Sequence, residues 1–171
     1  SELRPTGLRG RRRVQAEGAW CALSNQAFPN HIFRVAGIYG PGRSSFDQLR
    51  AGTAHCVSKP GQVFSRIHVD DLVGVLRASM GRPRPGAVYN VCDDEPAAPA
   101  DVTAYAARLL SIEAPPLVSF EQAMLSDLAR AFYSDNTRVR TGRIKEELGV
   151  SLRHPDYRTG LAAILAEETG C

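Results

Sequence analysis

Three short apolar runs, each set apart from the next by a stretch with a different rhythm, constrain this chain more than any other feature of its sequence. Residues 31–36 (His31, Ile32, Phe33, Arg34, Val35, Ala36), 63–68 and 87–92 are rich in β-branched and aromatic side chains and are bounded by turn formers, so each reads as a strand. Between the second and third, Val69, Leu72, Val73, Leu76 and Met80 recur at the spacing of one helix face. Asp70 and Asp71 fall in the first turn of that helix, where the macrodipole favours acids. Strands separated by helices favour a layered α/β fold.

The flanking segments extend the pattern. Upstream, Ala16, Ala19, Trp20, Leu23 and Ala27 predict a helix that ends before Pro29. Residues 37–42, with Gly37, Gly40, Pro41 and Gly42, predict a glycine-rich turn at a strand end, a place where function concentrates. Downstream, Val102, Tyr105, Ala106, Leu109 and Leu110 share a helix face, and Pro115 and Pro116 break the chain. Ser119 and Gln122 have the spacing of a capping box that starts a helix through Leu125 and Leu128. Gly149 is placed to end a helix after Leu148, and Asp156 to cap a last one with Tyr157, Leu161, Ile164 and Leu165 inward.

Composition narrows the function classes. A chain of 171 residues, 43% hydrophobic and 23% charged, is expected to make one domain with a buried core. It has no apolar run near the ~20 residues of a membrane span and no secretory signal at its start, so a cytoplasmic location is expected and a membrane role is not. Cys21, Cys56, Cys92 and Cys171 include no Cys-x-x-Cys pair and read as isolated thiols. Arg9, Arg11, Arg12 and Arg13 cluster, but without interleaved aromatics they read as a solvated helix face, or as a contact to phosphate or a partner chain. Nucleic-acid binding is not indicated.

Several segments, in order, then form a larger pattern: residues 34–42, Ile67-His68-Val69-Asp70-Asp71, Val88-Tyr89-Asn90-Val91, and Glu147-Leu148-Gly149-Val150 with Pro155, Gly160 and Leu161. Together they resemble the C-terminal half of the extended short-chain dehydrogenase/reductases, the NAD-dependent epimerase/dehydratase family. Asp93-Asp94-Glu95-Pro96 and Pro155-Asp156-Tyr157-Arg158 point to a divergent bacterial branch. The resemblance implies a single domain over residues 1–171: the last strands of a Rossmann-like parallel sheet with a small, mostly helical substrate lobe. The family's N-terminal dinucleotide-binding half, with its Gly-rich turn, is absent from these residues. NAD or NADP is the implied cofactor, though this chain alone is not expected to hold it.

By the same resemblance Val35, Ala36, Gly37 and Ile38 face the nicotinamide and substrate pocket, or simply pack. Arg34, Tyr39, Arg66 and Arg138 are the candidate contacts to a small-molecule substrate, with Tyr39 also shaping the turn and Arg34 reaching either a carboxylate or solvent. Arg130 and Tyr133 stand with Arg138 in the lobe. Nucleotide-sugar enzymes of the family carry an arginine four residues before the histidine; here that residue is Phe64, a departure that counts against nucleotide sugars, with Arg66, two residues along on the same face of a regular strand, as the alternative of a displaced clamp.

The family's Tyr-x-x-x-Lys pair has no counterpart. Aligning Glu17 on the glutamate that follows the pair puts Arg9 on the tyrosine and Arg13 on the lysine. A guanidinium, with a pKa above ~12, does not exchange a proton near neutrality. No catalytic residue is assigned, and the chain is expected to be silent alone. It is then the substrate-side half of an epimerase, dehydratase or reductase, completed by an N-terminal half or a partner chain. A non-catalytic binding or assembly subunit is the alternative, and a degenerate P-loop over Gly37 to Ser44, with Arg43 as its cation and Asp93 as its acid, is a second. No metal site is expected, since His68, Asp70 and Asp71 lack a third ligand at useful spacing and the acids are expected to cap the helix. The family builds a dimer through the first helix, so residues 10–27 are expected either to face a second protomer or to join the chain's own core.

Overall fold

The apolar runs form strands that lie parallel, in pairs. The structure, a computed structural model, describes residues 7–133, 136 and 138–170. β1 (His31–Val35) runs beside β5 (Ala87–Val91), with His31 opposite Ala87 and Val35 opposite Val91. Residues 37–39, expected within a turn, instead form a second strand, β2 (Gly37–Tyr39), parallel to β4 (Arg66–His68). The hydrogen bonds show why. The Ala36 N–H donates to Val91 O at 3.0 Å, whereas the next amide, Gly37, donates to Ser65 O at 3.3 Å, so the chain changes neighbour within one residue.

A third parallel pair, β3 (Cys56–Ser58) with β6 (Leu117–Ser119), was not foreseen, because three residues are too few to display an alternation. The helix expected to start at Ser119 begins later, as α5 (Asp127–Phe132), with Ser126 Oγ accepting from the Ala129 N–H at 3.3 Å. The fold is α/β, with short parallel strand pairs and helices packed on them.

Local chemistry sets the end of α6 and the start of α7, and departs from expectation at the start of α3. α6 (Gly142–Leu148) stops at Gly149, whose φ of +67° suits glycine, and α7 (Tyr157–Thr169) starts where Asp156 Oδ1 accepts from the N–H groups of Arg158 and Thr159 at 2.8 and 2.9 Å. At α3 (Val69–Met80) the cap is His68, whose Nδ1 accepts from the Asp70 N–H at 3.3 Å, and not either acid. Asp71 is buried and reaches across the molecule, accepting from the backbone N–H groups of Arg153 (2.7 Å) and His154 (2.9 Å). Two bonds to this buried carboxylate tie the entry of α7 to the start of α3.

The cores follow the layers. Ile67, Val75, Tyr89, Val91, Ile144 and Leu148 join β4, α3, β5 and α6. Phe46, Val102, Ala106, Tyr157, Leu161 and Ile164 join α2 (Ser45–Arg50), α4 (Pro99–Leu109) and α7. Val57, Phe64, Ala123 and Tyr133 form a smaller cluster under β3 and β6.

α1 (Leu8–Ala22) stands apart, tied by Glu17 to Arg34 at 2.6 Å. Its Trp20 is 53% exposed and Leu23, just beyond it, 59%, so the apolar face of the first helix does not enter the chain's own core. Cys56 and Cys92 are buried thiols and Cys21 is half-buried; Cys171 lies outside the described residues. Among the described residues no helix is long and apolar enough to cross a membrane.

Candidate functional site

Where β1 gives way to β2, one strand neighbour is left and another taken up, and a cleft of about 930 Å³ opens at that fork. Such a place, at the carboxyl end of a parallel strand whose neighbours part, is where α/β folds bind ligands. Val35, Ala36, Gly37, Ile38 and Tyr39 all line it, joined by Phe64 and Arg66 from the approach to and start of β4. Val35 is 37% exposed, an apolar side chain turned to open space at a strand end. α2, α4 and the start of α7 supply the far wall through Gln48, Thr103 and Tyr157.

The charge in the cleft is anchored from below. Arg66 donates from Nη2 to Ala97 O at 3.3 Å, and its guanidinium carbon lies 5.7 Å from the centroid of the Tyr157 ring. Burial lowers its pKa, offset in part by Asp93. Asp93 is 1% exposed, and among the described residues neither carboxylate oxygen has a partner within ordinary hydrogen-bond geometry. Burial therefore lifts its pKa to about 7 in spite of the neighbouring Arg66. Arg43, exposed at the rim, adds a second cation to the lining.

Tyr39 is a packing group. Its ring meets His68 edge-on at 5.2 Å between centroids, and its Oη donates to Asp156 O at 3.5 Å. Burial, with Asp93 adding to it, holds its phenol far above the ordinary tyrosine value, so it is not poised for proton transfer near neutrality. Gly160 in α7 makes room for it: a Cβ there would stand 2.0 Å from Tyr39 Oη.

The remaining candidates fall elsewhere. Arg34 lies outside the lining and holds Glu17 in a two-pronged contact, Nη2 to Oε2 at 2.6 Å and Nε to Oε1 at 3.1 Å. Arg138 is exposed and outside the lining, and Arg130 donates to Ala123 O at 3.1 Å. Tyr133 does line the cleft, as do His55 and Thr103, which no local pattern marked. Arg13 is exposed on α1, and the Arg9 side chain lies outside the described residues.

The residues of the P-loop reading do not cradle an anion. The Gly37 N–H is spent on Ser65 O, the amides of Gly40 and Arg43 donate to each other's carbonyls at 3.2 and 3.0 Å, and the Ser44 N–H donates to Asp47 Oδ2 at 2.6 Å in a capping box. A phosphate cradle needs such amides free and convergent.

No family model matches the sequence. Among curated proteins, the chain is 31% identical over 127 residues to protein YeeZ of Escherichia coli, covering 73% of this chain and 41% of YeeZ. It is 32% identical over 140 residues to a 3-diazoavenalumate denitrifying reductase of a Streptomyces species, covering 76% of this chain and 45% of the reductase. It thus spans less than half the length of these relatives. Among solved structures, a conserved protein of unknown function from Silicibacter pomeroyi superposes with a TM-score of 0.91 at 58% identity, over 98% of this chain and 58% of that one. An NAD complex of dTDP-glucose 4,6-dehydratase from Bacillus anthracis superposes with a TM-score of 0.73 at 16% identity, over 98% of this chain and 54% of the enzyme. The fold is that of the NAD-dependent epimerases and dehydratases. In this Rossmann-like frame the chain matches about half of each such enzyme.

Proposed function

We propose that the chain is the substrate-side half of an NAD(P)-dependent protein of the reductase, epimerase or dehydratase type. The observation that carries this reading is the lining at the fork: four consecutive residues, Val35 to Ile38, present an apolar strip to a cleft at the carboxyl end of β1, where the chain leaves β5 for β4. The strip suits the flat face of a nicotinamide, which would supply or accept a hydride. The residues here would wall the ring and exclude water, while the phosphate-binding amides belong to a preceding half.

Arg66 and Arg43, with Tyr39, Phe64, Tyr133 and Tyr157 around them, favour a small anionic substrate with a flat apolar body. Phe64 is 6% exposed and packs edge-on against Tyr133 at 5.8 Å, which argues against phosphate binding at that point.

Fluorescence titration with NADH and NADPH tests the reading in two forms of the protein, this 171-residue chain and a longer one carrying a Gly-rich N-terminal half. Saturable binding is expected only in the longer form and should weaken on Ile38→Asp. Tight stoichiometric uptake by the short chain, or none by the long one, would overturn the assignment.

A non-catalytic assembly subunit is the second reading. It is favoured by the exposed Arg13 where the family's lysine stands and by Trp20 and Leu23 on an open helix face, which would then pair with a second protomer through residues 10–27. Sedimentation of the parent chain and of Trp20→Glu tests the contact: a dimer in the parent that is lost in Trp20→Glu supports it, and a parent that sediments as a monomer removes it.

A further inference from the structure

Chain topology brings together what linear spacing keeps apart. His68 ends β4, Asp70 lies in the first turn of α3, and His154 sits in the connection between α6 and α7, yet one ligand atom from each lies within 4.8 Å of the other two. We propose that these three residues bind a transition-metal ion of the zinc type, one ring removed from the cleft, behind Tyr39. The site stands on its own observations and does not depend on what the cleft binds.

The geometry is close to what such an ion requires. A tetrahedral zinc with bonds near 2.0–2.2 Å holds neighbouring donors roughly 3.3–3.5 Å apart. His68 Nδ1 and Asp70 Oδ2 are 3.8 Å apart, and the two imidazole centroids are 4.1 Å apart. Side-chain adjustments of about an ångström, with no change of fold, bring all three donors to a common centre.

The buried member is the one that points to a ligand. His68 is 1% exposed, and its Nε2 has no hydrogen-bond partner among the described residues. Its other nitrogen, Nδ1, holds only the long 3.3 Å bond from the Asp70 N–H, so a metal on the Nδ1 lone pair would replace a weak cap and leave Nε2 protonated, whereas ligation through Nε2 would need the other tautomer, with the Nδ1–H turned to the Asp70 carboxylate 3.8 Å away. His154 is held in place from its backbone, because its N–H and that of Arg153 are both bound by the buried carboxylate of Asp71. Tyr39 closes the other side of His68.

The donor set selects the ion class. Two imidazoles and one carboxylate suit Zn²⁺, Co²⁺, Ni²⁺ or Cu²⁺, whereas Ca²⁺ and Mg²⁺ seek shells of oxygen. Asp70 is 44% exposed, so the fourth position opens to solvent and would take water. A bound ion would cross-link the end of β4, the start of α3 and the entry of α7, and so fix the wall behind Tyr39.

The test is a Co²⁺ titration of the chelator-treated chain, read by visible absorption, followed by displacement with Zn²⁺ and by thermal unfolding with and without Zn²⁺. One equivalent is expected to bind with a low-coordinate Co²⁺ spectrum and to raise the unfolding temperature. His154→Ala keeps the backbone N–H that Asp71 holds, so it should fold as the parent does by circular dichroism while losing at least about 10-fold in affinity. Asp70→Asn should lose a similar factor, and the double variant should show neither the band nor the thermal shift. Absence of saturable uptake by the parent chain, or uptake undiminished in His154→Ala, would overturn the site.

Discussion

The core over β4 and β5 and the cluster under β3 and β6 are built differently, and they stand differently to the cleft: the cluster lines it through Val57, Phe64 and Tyr133, and the core reaches it only through Ile38 packed upon it. In the first, five of six members, Ile67, Val75, Tyr89, Val91 and Ile144, have no exposed surface, and they come from β4, α3, β5 and α6. In the second, Val57, Phe64, Ala123 and Tyr133 all keep some exposure, and polar side chains reaching back to the main chain hold the loops. Lys59 Nζ donates to Tyr133 O, Asn136 Nδ2 to Gly61 O at 2.8 Å, and Asn136 Oδ1 accepts from the Val63 N–H at 3.1 Å. Lys59 and Arg130 also lie over the Phe120 ring, at 4.9 and 5.5 Å. The core is held by excluding water and the cleft wall at β3 and β6 by directional bonds that can be remade, so that wall is the one free to adapt to a ligand.

The strongest challenge to this contrast is truncation of the dry core. Ile67→Ala removes a fully buried side chain and should cost about 2–5 kcal/mol in urea unfolding, well beyond the cost of Phe120→Ala in the other cluster. Equal losses would mean that the core and the cleft wall are equally committed.

Gly160→Ala probes the seam where Tyr39 meets α7. Alanine is the better helix former, but its Cβ would overlap Tyr39 Oη, so a net loss of about 1–3 kcal/mol is expected, partly relieved when Tyr39→Phe is added.

A smaller effect comes from pH. Asp93 has a folded pKa of about 7 against an ordinary 3.8, so within that interval the folded chain keeps a proton that the unfolded chain has released. Stability should be highest below the lower value and fall as pH rises through the upper one, by roughly 1–2 kcal/mol between about pH 5 and pH 8. Asp93→Asn should flatten that slope in thermal melts, and an unchanged slope would locate the titration elsewhere. The smallest effect is expected from Asn136→Ala, about 1 kcal/mol, with faster amide exchange confined to the segments around β3 and β6. Exchange that quickened in β1 and β5 as well would erase the distinction.

The same contrast explains what could be read from the sequence. The strands at residues 31–36 and 87–92, the stop at Gly149 and the start at Asp156 were legible because composition, a glycine with positive φ and a capping carboxylate act over a few residues. β3 and β6 were not, because each is three residues long and finds its partner some sixty positions away. At the cleft, Val35 to Ile38, Tyr39 and Arg66 were marked in advance and line it together. Arg34 was marked too, but Glu17, seventeen positions earlier, holds its guanidinium. His154 offered no sign that it would meet His68, since the meeting depends on where Asp71 fastens the backbone.

The change of neighbour between Ala36 and Gly37 also makes this the one point in the strand where length matters more than side-chain chemistry. Each amide there is committed to a different carbonyl, Val91 on one flank and Ser65 on the other. Alternate residues of an extended chain face opposite ways, so adding or deleting a single residue would invert Ile38 and Tyr39 relative to Val35. The tyrosine would then be carried away from the hollow at Gly160. Descendants of this protein can repaint the walls of the cleft one substitution at a time, but they cannot alter the count of residues across its floor.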